Sequence, residues 1–185
     1  MSNSVSQNLA LPVRMALLMW IVFFAEAAFH LNLSIFGIHP RTTFGLIGIL
    51  TMPLLHGSFA HLVSNTFPLL FLGFTLFYFY SRIALSVFVQ CYLFTGIMIW
   101  IFARPSIHIG ASGVIYALAA FLMFLGLFKK DPKSLLISIA IIFLYGGMIY
   151  GVLPTQPGVS WESHLLGGIV GAVVASNYSS RRSGY

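Results

Sequence analysis

Apolar residues along this chain of 185 come in long runs divided by short polar breaks. A helix needs about twenty residues to cross a hydrocarbon layer roughly 30 Å thick. Six runs come close to that length: residues 15–33, 58–77, 83–101, 112–128, 135–152 and 159–176. In lipid every backbone amide must find its partner within the protein, so runs of this kind predict helices. The expected fold is all-α, a polytopic bundle of six transmembrane helices over residues 13–177. A polar N-terminal tail at 1–12 and a basic C-terminal tail at 178–185 are expected to flank it.

Composition agrees. Hydrophobic residues make up 59% and charged ones 6%, with a mean hydropathy of +0.97, far from the balance of a soluble domain. The net charge of +6 changes the picture little, because the basic residues stand at the ends of the runs rather than on one patch. They read as topology signals, and no nucleic-acid partner is expected. Cys91 is the single cysteine and sits inside the third run, which excludes an internal disulfide and marks it as a packing residue. Arg14, the apolar run after it and Ala25-Glu26-Ala27 imitate a cleavable leader. The run is expected to stay as the first span, since an even number of crossings needs it.

Basic residues favour cytoplasmic loops. Counted on alternate sides of six spans, one side holds Arg14, Arg82, Lys129, Lys130, Lys133, Arg181 and Arg182, and the other only Arg41 and Arg104. Both termini are therefore expected inside. The second, fourth and sixth helices then run inward, and each carries polar residues near its outer end. Asn65 lies 17 residues before Arg82, Ser112 17 before Lys129, and His164 17 before Arg181. At 1.5 Å per residue each stands roughly 25 Å above the inner boundary, with His61 one turn higher. Polar groups in one such layer are costly against lipid, so they should converge inside the bundle. Gly167, Gly171 and Ala175 on the sixth helix, and Gly113, Ala117 and Ala120 on the fourth, form stripes of small residues that allow close helix approach.

Gly110-Ala111-Ser112-Gly113 places a serine where a helix begins, between glycines that permit a tight turn. The backbone N–H of Ser112 has no partner within the helix there, and the helix dipole favours negative charge beside it. A serine hydroxyl needs a base within hydrogen-bond reach to act as a nucleophile, and His164 is the candidate at matching depth. His61 and Asn65, four apart on one helix face, could donate to an oxyanion together with the Ser112 amide.

The stretch from His56 to Asn65, Gly110-Ala111-Ser112-Gly113 with Tyr116 and Ala117, and His164-Leu165-Leu166-Gly167 with Gly171 resemble rhomboid proteases. The three motifs come in that family's order, on the second, fourth and sixth spans. The resemblance implies a rhomboid-like bundle that cleaves within or next to transmembrane segments of other membrane proteins. Ser112 and His164 would form the catalytic dyad without a third acid. His61, Asn65 and the Ser112 amide would hold the oxyanion, and Tyr116 would pack on the imidazole. Gly110, Gly113, Gly167 and Gly171 would support the site, and His56 would be structural. The partners implied are membrane-protein substrates and the lipid bilayer, the address a bacterial inner membrane. A loop at 153–158, with Pro154 and Pro157, would cover the cavity.

The chain departs from the family where many members carry a Trp-Arg pair; here stands Ile47-Gly48. A glutamate-containing motif around the second and third spans is missing, and Ser163 replaces a common alanine. Glu26 and His30, four apart, are read as a structural pair on the first helix. Glu162, two residues before His164, points elsewhere and is not expected to orient it. His39 and His108 lie in loops without metal-ligand spacing, so neither metal nor cofactor is expected. Two other functions fit less well: a catalytically silent relative that binds membrane clients, which would usually lack the serine or histidine, and a channel, transporter or haem protein using His56, His61 and His164, of which the first two, five apart, share a helix face poorly.

Overall fold

A computed structural model of the chain describes residues 2–154 and 160–180. Seven helices are found among them: α1 Ser2–Ala28, α2 Gly48–Thr51, α3 Phe59–Phe79, α4 Ser81–Phe102, α5 Ser112–Lys129, α6 Pro132–Tyr145 and α7 Trp161–Ser179. Five segments are long and apolar enough to cross a membrane: Ala10–Ala28, Phe59–Phe79, Ser81–Phe102, Ser112–Lys129 and Pro132–Val152. The sixth expected crossing corresponds to α7, 19 residues long. Glu162, Ser163 and His164 at one end and Ser176, Asn177 and Ser179 at the other make α7 less apolar than these five. The described residues contain no strand, only an isolated bridge between Ile38 and His108.

Local chemistry sets the boundaries. Ser58 caps α3 by accepting from the His61 amide at 3.1 Å, and Asp131 caps α6 by accepting from Ser134 at 3.0 Å, with Pro132 in the first turn. The turn from α5 into α6 uses Lys130 at φ 57°. α1 begins within the expected tail and ends at Ala28, five residues before the apolar run stops. His30 lies past that end at φ 51°, and Glu26 accepts from the Leu33 amide at 2.9 Å instead. The two therefore do not share a helix face as expected.

α5 is the axis of the bundle. Val114, Leu118, Phe121 and Leu122 are fully buried. α7 crosses α5 almost backbone to backbone: a methyl added at Gly167 would lie 2.1 Å from the Gly113 carbonyl oxygen, and one at Gly171 2.1 Å from that of Ala117. Only glycine permits that approach. α6 touches α5 mainly at the Lys130 end. There Gly126 lies against the Ser134 carbonyl, 2.2 Å from where its methyl would be, and Ser138 donates to the Met123 carbonyl. The outward face of α6, with Leu136, Phe143 and Leu144, is exposed. α1 joins α3 through the Trp20 indole, which donates to Thr66 at 3.0 Å.

Between α1 and α3 the chain forms short 3-10 turns, Leu33–Phe36, Phe44–Leu46 and Met52–Leu54, around α2. Gly48 meets the backbone at Gly37 so closely that a methyl would lie 2.4 Å from its carbonyl oxygen, so a large side chain has no room there. Phe44, Leu46, Ile47 and Leu50 remain exposed, as expected of a segment lying against lipid.

The basic residues fall at two ends. Lys133 donates to the Phe79 carbonyl at 2.9 Å, and Lys129 pairs with Asp131 at 3.8 Å across the α5–α6 turn. At the opposite end Arg41 donates to the carbonyls of Ile101 and Ala103 at 3.0 and 2.7 Å, and Arg104 pairs with Glu162 at 3.3 Å. Arg181, Arg182 and the rest of the tail to residue 185 lie outside the described residues.

Candidate active site

Ser112 is the first residue of α5, with Ala111 in the capping position and no side-chain cap. Its hydroxyl is therefore free of the usual duty of a helix-start serine and lies 2.9 Å from His164 Nε2. The glycine contacts that seat α7 on α5 bring these two groups together, Gly167 one turn beyond His164 and opposite Gly113. Tyr116, one turn along α5, stacks on the imidazole with centroids 4.2 Å apart and planes 3° apart.

The other imidazole nitrogen, Nδ1, lies 2.8 Å from the Gly151 carbonyl oxygen. A carbonyl only accepts, so Nδ1 carries the proton and Nε2 presents its lone pair to the Ser112 hydroxyl. This is the tautomer a general base requires. Sequence reasoning did not find Gly151, because a backbone acceptor leaves no side-chain signature. The available signal was a glycine-rich stretch closing an apolar run, Gly146, Gly147 and Gly151. That stretch is the 3-10 segment Gly146–Val152, where the expected fifth span leaves regular α-helix.

On the other side of Ser112 stand the expected oxyanion donors. Gly110 has φ 109°, a backbone region natural only to glycine. A methyl there would lie 2.7 Å from His61 Nε2 and 3.5 Å from Asn65 Nδ2, so the turn into Ser112 runs against both side chains. Asn65 is 5% exposed, and its Nδ2 has no hydrogen-bond partner. Buried donors are almost always satisfied, and this one is left unpaired beside the hydroxyl–imidazole pair. Ser112, His164, His61, Asn65, Tyr116 and the Gly151 segment line one cavity of about 880 Å³.

A polar chain pins the first turn of α7 to the loop at 103–111. His108 Nε2 donates to the Arg104 carbonyl at 3.0 Å, so its Nδ1 accepts from Ser160 at 2.5 Å, which in turn accepts from Ser163 at 2.6 Å. Ser163 thus has a structural partner, and Glu162 turns to Arg104 rather than to His164. Burial holds the His108 imidazole below its usual pKa. His56, beside His61 at a ring distance of 5.0 Å, is lowered to about 4, first by burial and then by the neighbouring imidazole. Both are neutral at pH 7. Among the described residues no group of three or more His, Cys, Asp or Glu side chains could hold a metal ion. The expected covering loop at 153–158 falls largely on residues 155–159, outside the described residues.

Fold and site together define a multi-pass integral membrane protein with a serine hydroxyl hydrogen-bonded to an imidazole at the wall of a cavity. The Rhomboid domain family model matches residues 43–181, and the chain belongs to the rhomboid family. It is 38% identical to uncharacterized proteins of Mycobacterium bovis and Mycobacterium tuberculosis over 78% of its length, and to one of Mycobacterium leprae over 75%. The chain spans 64% of the length of the first two and 59% of the third.

Proposed function

We propose that the protein is an intramembrane serine endopeptidase that cuts within or next to transmembrane segments of other membrane proteins. The observation that carries this reading is the 2.9 Å contact between Ser112 Oγ and an imidazole whose other nitrogen is already committed as a donor. In the reaction His164 Nε2 takes the hydroxyl proton as Ser112 Oγ attacks the scissile carbonyl, then gives it to the leaving amine. Water, activated by the same nitrogen, hydrolyses the acyl-enzyme. The His61 ring, the Asn65 amide and the Ser112 N–H stabilise the oxyanion.

The same reading takes residues 13–177 as a six-span domain with α7 as the last crossing and both termini inside. The separation of Lys129 and Lys133 from Arg41 and Arg104 at opposite ends of the bundle supports it, by the preference of basic residues for the cytoplasmic side. The mycobacterial relatives favour a bacterial inner membrane.

Reconstitution with a single-pass substrate tests the proposal. Ser112→Ala and His164→Ala should each abolish cleavage while leaving the thermal midpoint near wild type. Asn65→Ala should lower turnover by roughly 10²- to 10³-fold, the usual cost of one oxyanion donor. A fluorophosphonate should label wild type and not Ser112→Ala. Cleavage that survives Ser112→Ala refutes the assignment.

A further inference from the structure

The segment Gly146–Val152 follows the loosely packed α6, yet two of its carbonyls reach the centre of the site. Gly151 accepts from His164 Nδ1 at 2.8 Å, and Met148 accepts from the Tyr116 hydroxyl at 2.8 Å. The fit has no slack: a methyl added at Gly151 would lie 2.0 Å from the Tyr116 hydroxyl oxygen and 3.2 Å from His164 Nδ1. Beside it, Gly147 has open space around its methyl position. The demand for glycine at 151 is therefore set by the Tyr116–His164 stack and not by the run of the segment.

We propose that Gly151 is a positioning residue for catalysis: its carbonyl selects the working tautomer of His164, and the bond from Tyr116 to Met148 keeps that carbonyl in place. This rests on the function proposed above and adds a condition to it. A neutral imidazole carries one proton on either nitrogen. With the segment seated, Nδ1–H is favoured and Nε2 can receive the Ser112 proton. With the segment displaced, Nδ1 loses its acceptor, the Nε2–H form becomes populated, and Nε2 then donates to Ser112 instead of accepting from it. The base is armed only while the wall of the cavity formed by this segment is in place. Tyr116 accordingly has two separable roles, stacking through its ring and seating the segment through its hydroxyl.

The test is ¹⁵N NMR of the histidine-labelled full chain in detergent micelles, with His164 assigned by its loss in His164→Ala. It is combined with single-turnover cleavage and fluorophosphonate labelling. Wild type should show His164 protonated at Nδ1. Gly151→Ala should shift the signal toward the Nε2–H tautomer and lower kcat on the order of 10²-fold or more, the scale set by loss of a base's orienting partner, with KM within about threefold. Tyr116→Phe keeps the stacked ring and should give the same shift in direction with a smaller loss of kcat; it also serves should Gly151→Ala fail to fold. A merely structural role for the segment would lower the thermal midpoint and leave the tautomer unchanged. An Nδ1–H signal persisting in both variants, or wild-type kcat in Gly151→Ala, overturns the proposal. Failure of wild type to cleave or be labelled would instead refute the proposed protease function, while the tautomer readout still decides the role of Gly151.

Discussion

α5 has two neighbours of opposite character. α7 meets it along its length through Gly167 and Gly171, whereas α6 is held at the Lys130 end and, beyond it, through the bonds that Tyr116 and His164 make to the following segment. Over an 18-residue window, 61% of the α5 span is buried and 17% of the Pro132–Val152 span. The two groups that must keep a fixed distance, Ser112 and His164, stand on the tightly joined pair. The wall of the cavity stands on the loose one. Backbone contact is hard to deform, because helices that touch carbonyl to α-carbon cannot slide without collision, so the hydroxyl–imidazole distance is protected from motions of α6.

Gly171→Leu should have the largest effect. The new side chain starts 2.1 Å from the Ala117 carbonyl oxygen, and the helices can only separate. Overpacking of this kind costs about 1–3 kcal/mol and often more where backbone opposes it. Separation by an ångström also breaks the Ser112–His164 bond. Fluorophosphonate labelling should disappear, and the unfolding midpoint should drop steeply. Wild-type labelling in this variant would show that the pair is not the rigid element.

Acid should loosen the molecule in part through the buried histidines of its loops. The unfolded chain protonates His56 near pH 6.5, the folded chain only near 4. Between these values the unfolded state binds more protons, so stability present above pH 6.5 is lost as pH falls toward 4. A depression of that size corresponds to roughly 3–3.5 kcal/mol at most, and His108, also lowered by burial, adds in the same direction. Thermal midpoints recorded from pH 7 to pH 4 should fall, and His56→Gln should flatten part of the decline. An unchanged slope in His56→Gln would move the acid sensitivity elsewhere.

Much of this arrangement is legible in the residues. Runs of apolar side chains placed the helices, because lipid leaves the backbone no other solution. The glycines at 167 and 171 marked the α5–α7 contact, since nothing larger fits it. Equal counts to basic anchors suggested that Asn65, Ser112 and His164 share a layer, and all three line one cavity. Other features are tertiary. The apolar run past Ala28 contains nothing that stops a helix by composition alone; the chain leaves the helix at His30 with positive φ, and Leu33 turns back onto Glu26. The Gly151 acceptor is a main-chain atom, silent in any side-chain pattern. Gly48, in the place of a more usual arginine, is explained by the backbone of Gly37, a contact between residues 11 positions apart with no local signature.

The smallest effect is expected on the outward face of α6. Phe143 is 87% exposed and in a bilayer it faces acyl chains that are as apolar as the ring itself, so removing it exchanges lipid contact for lipid contact. Phe143→Ala should change the unfolding free energy by no more than about 0.5 kcal/mol, the range of substitutions that touch no packed neighbour. Cleavage should stay within about twofold of wild type, because α6 fixes neither Ser112 nor His164 and reaches the cavity at its last residue, Tyr145, and through the segment that follows. A marked loss of stability would mean that α6 is packed on both faces, through a second copy of the chain or a residue outside the described ones. The contrast between the two neighbours of α5 would then hold for the isolated chain and fail in the membrane.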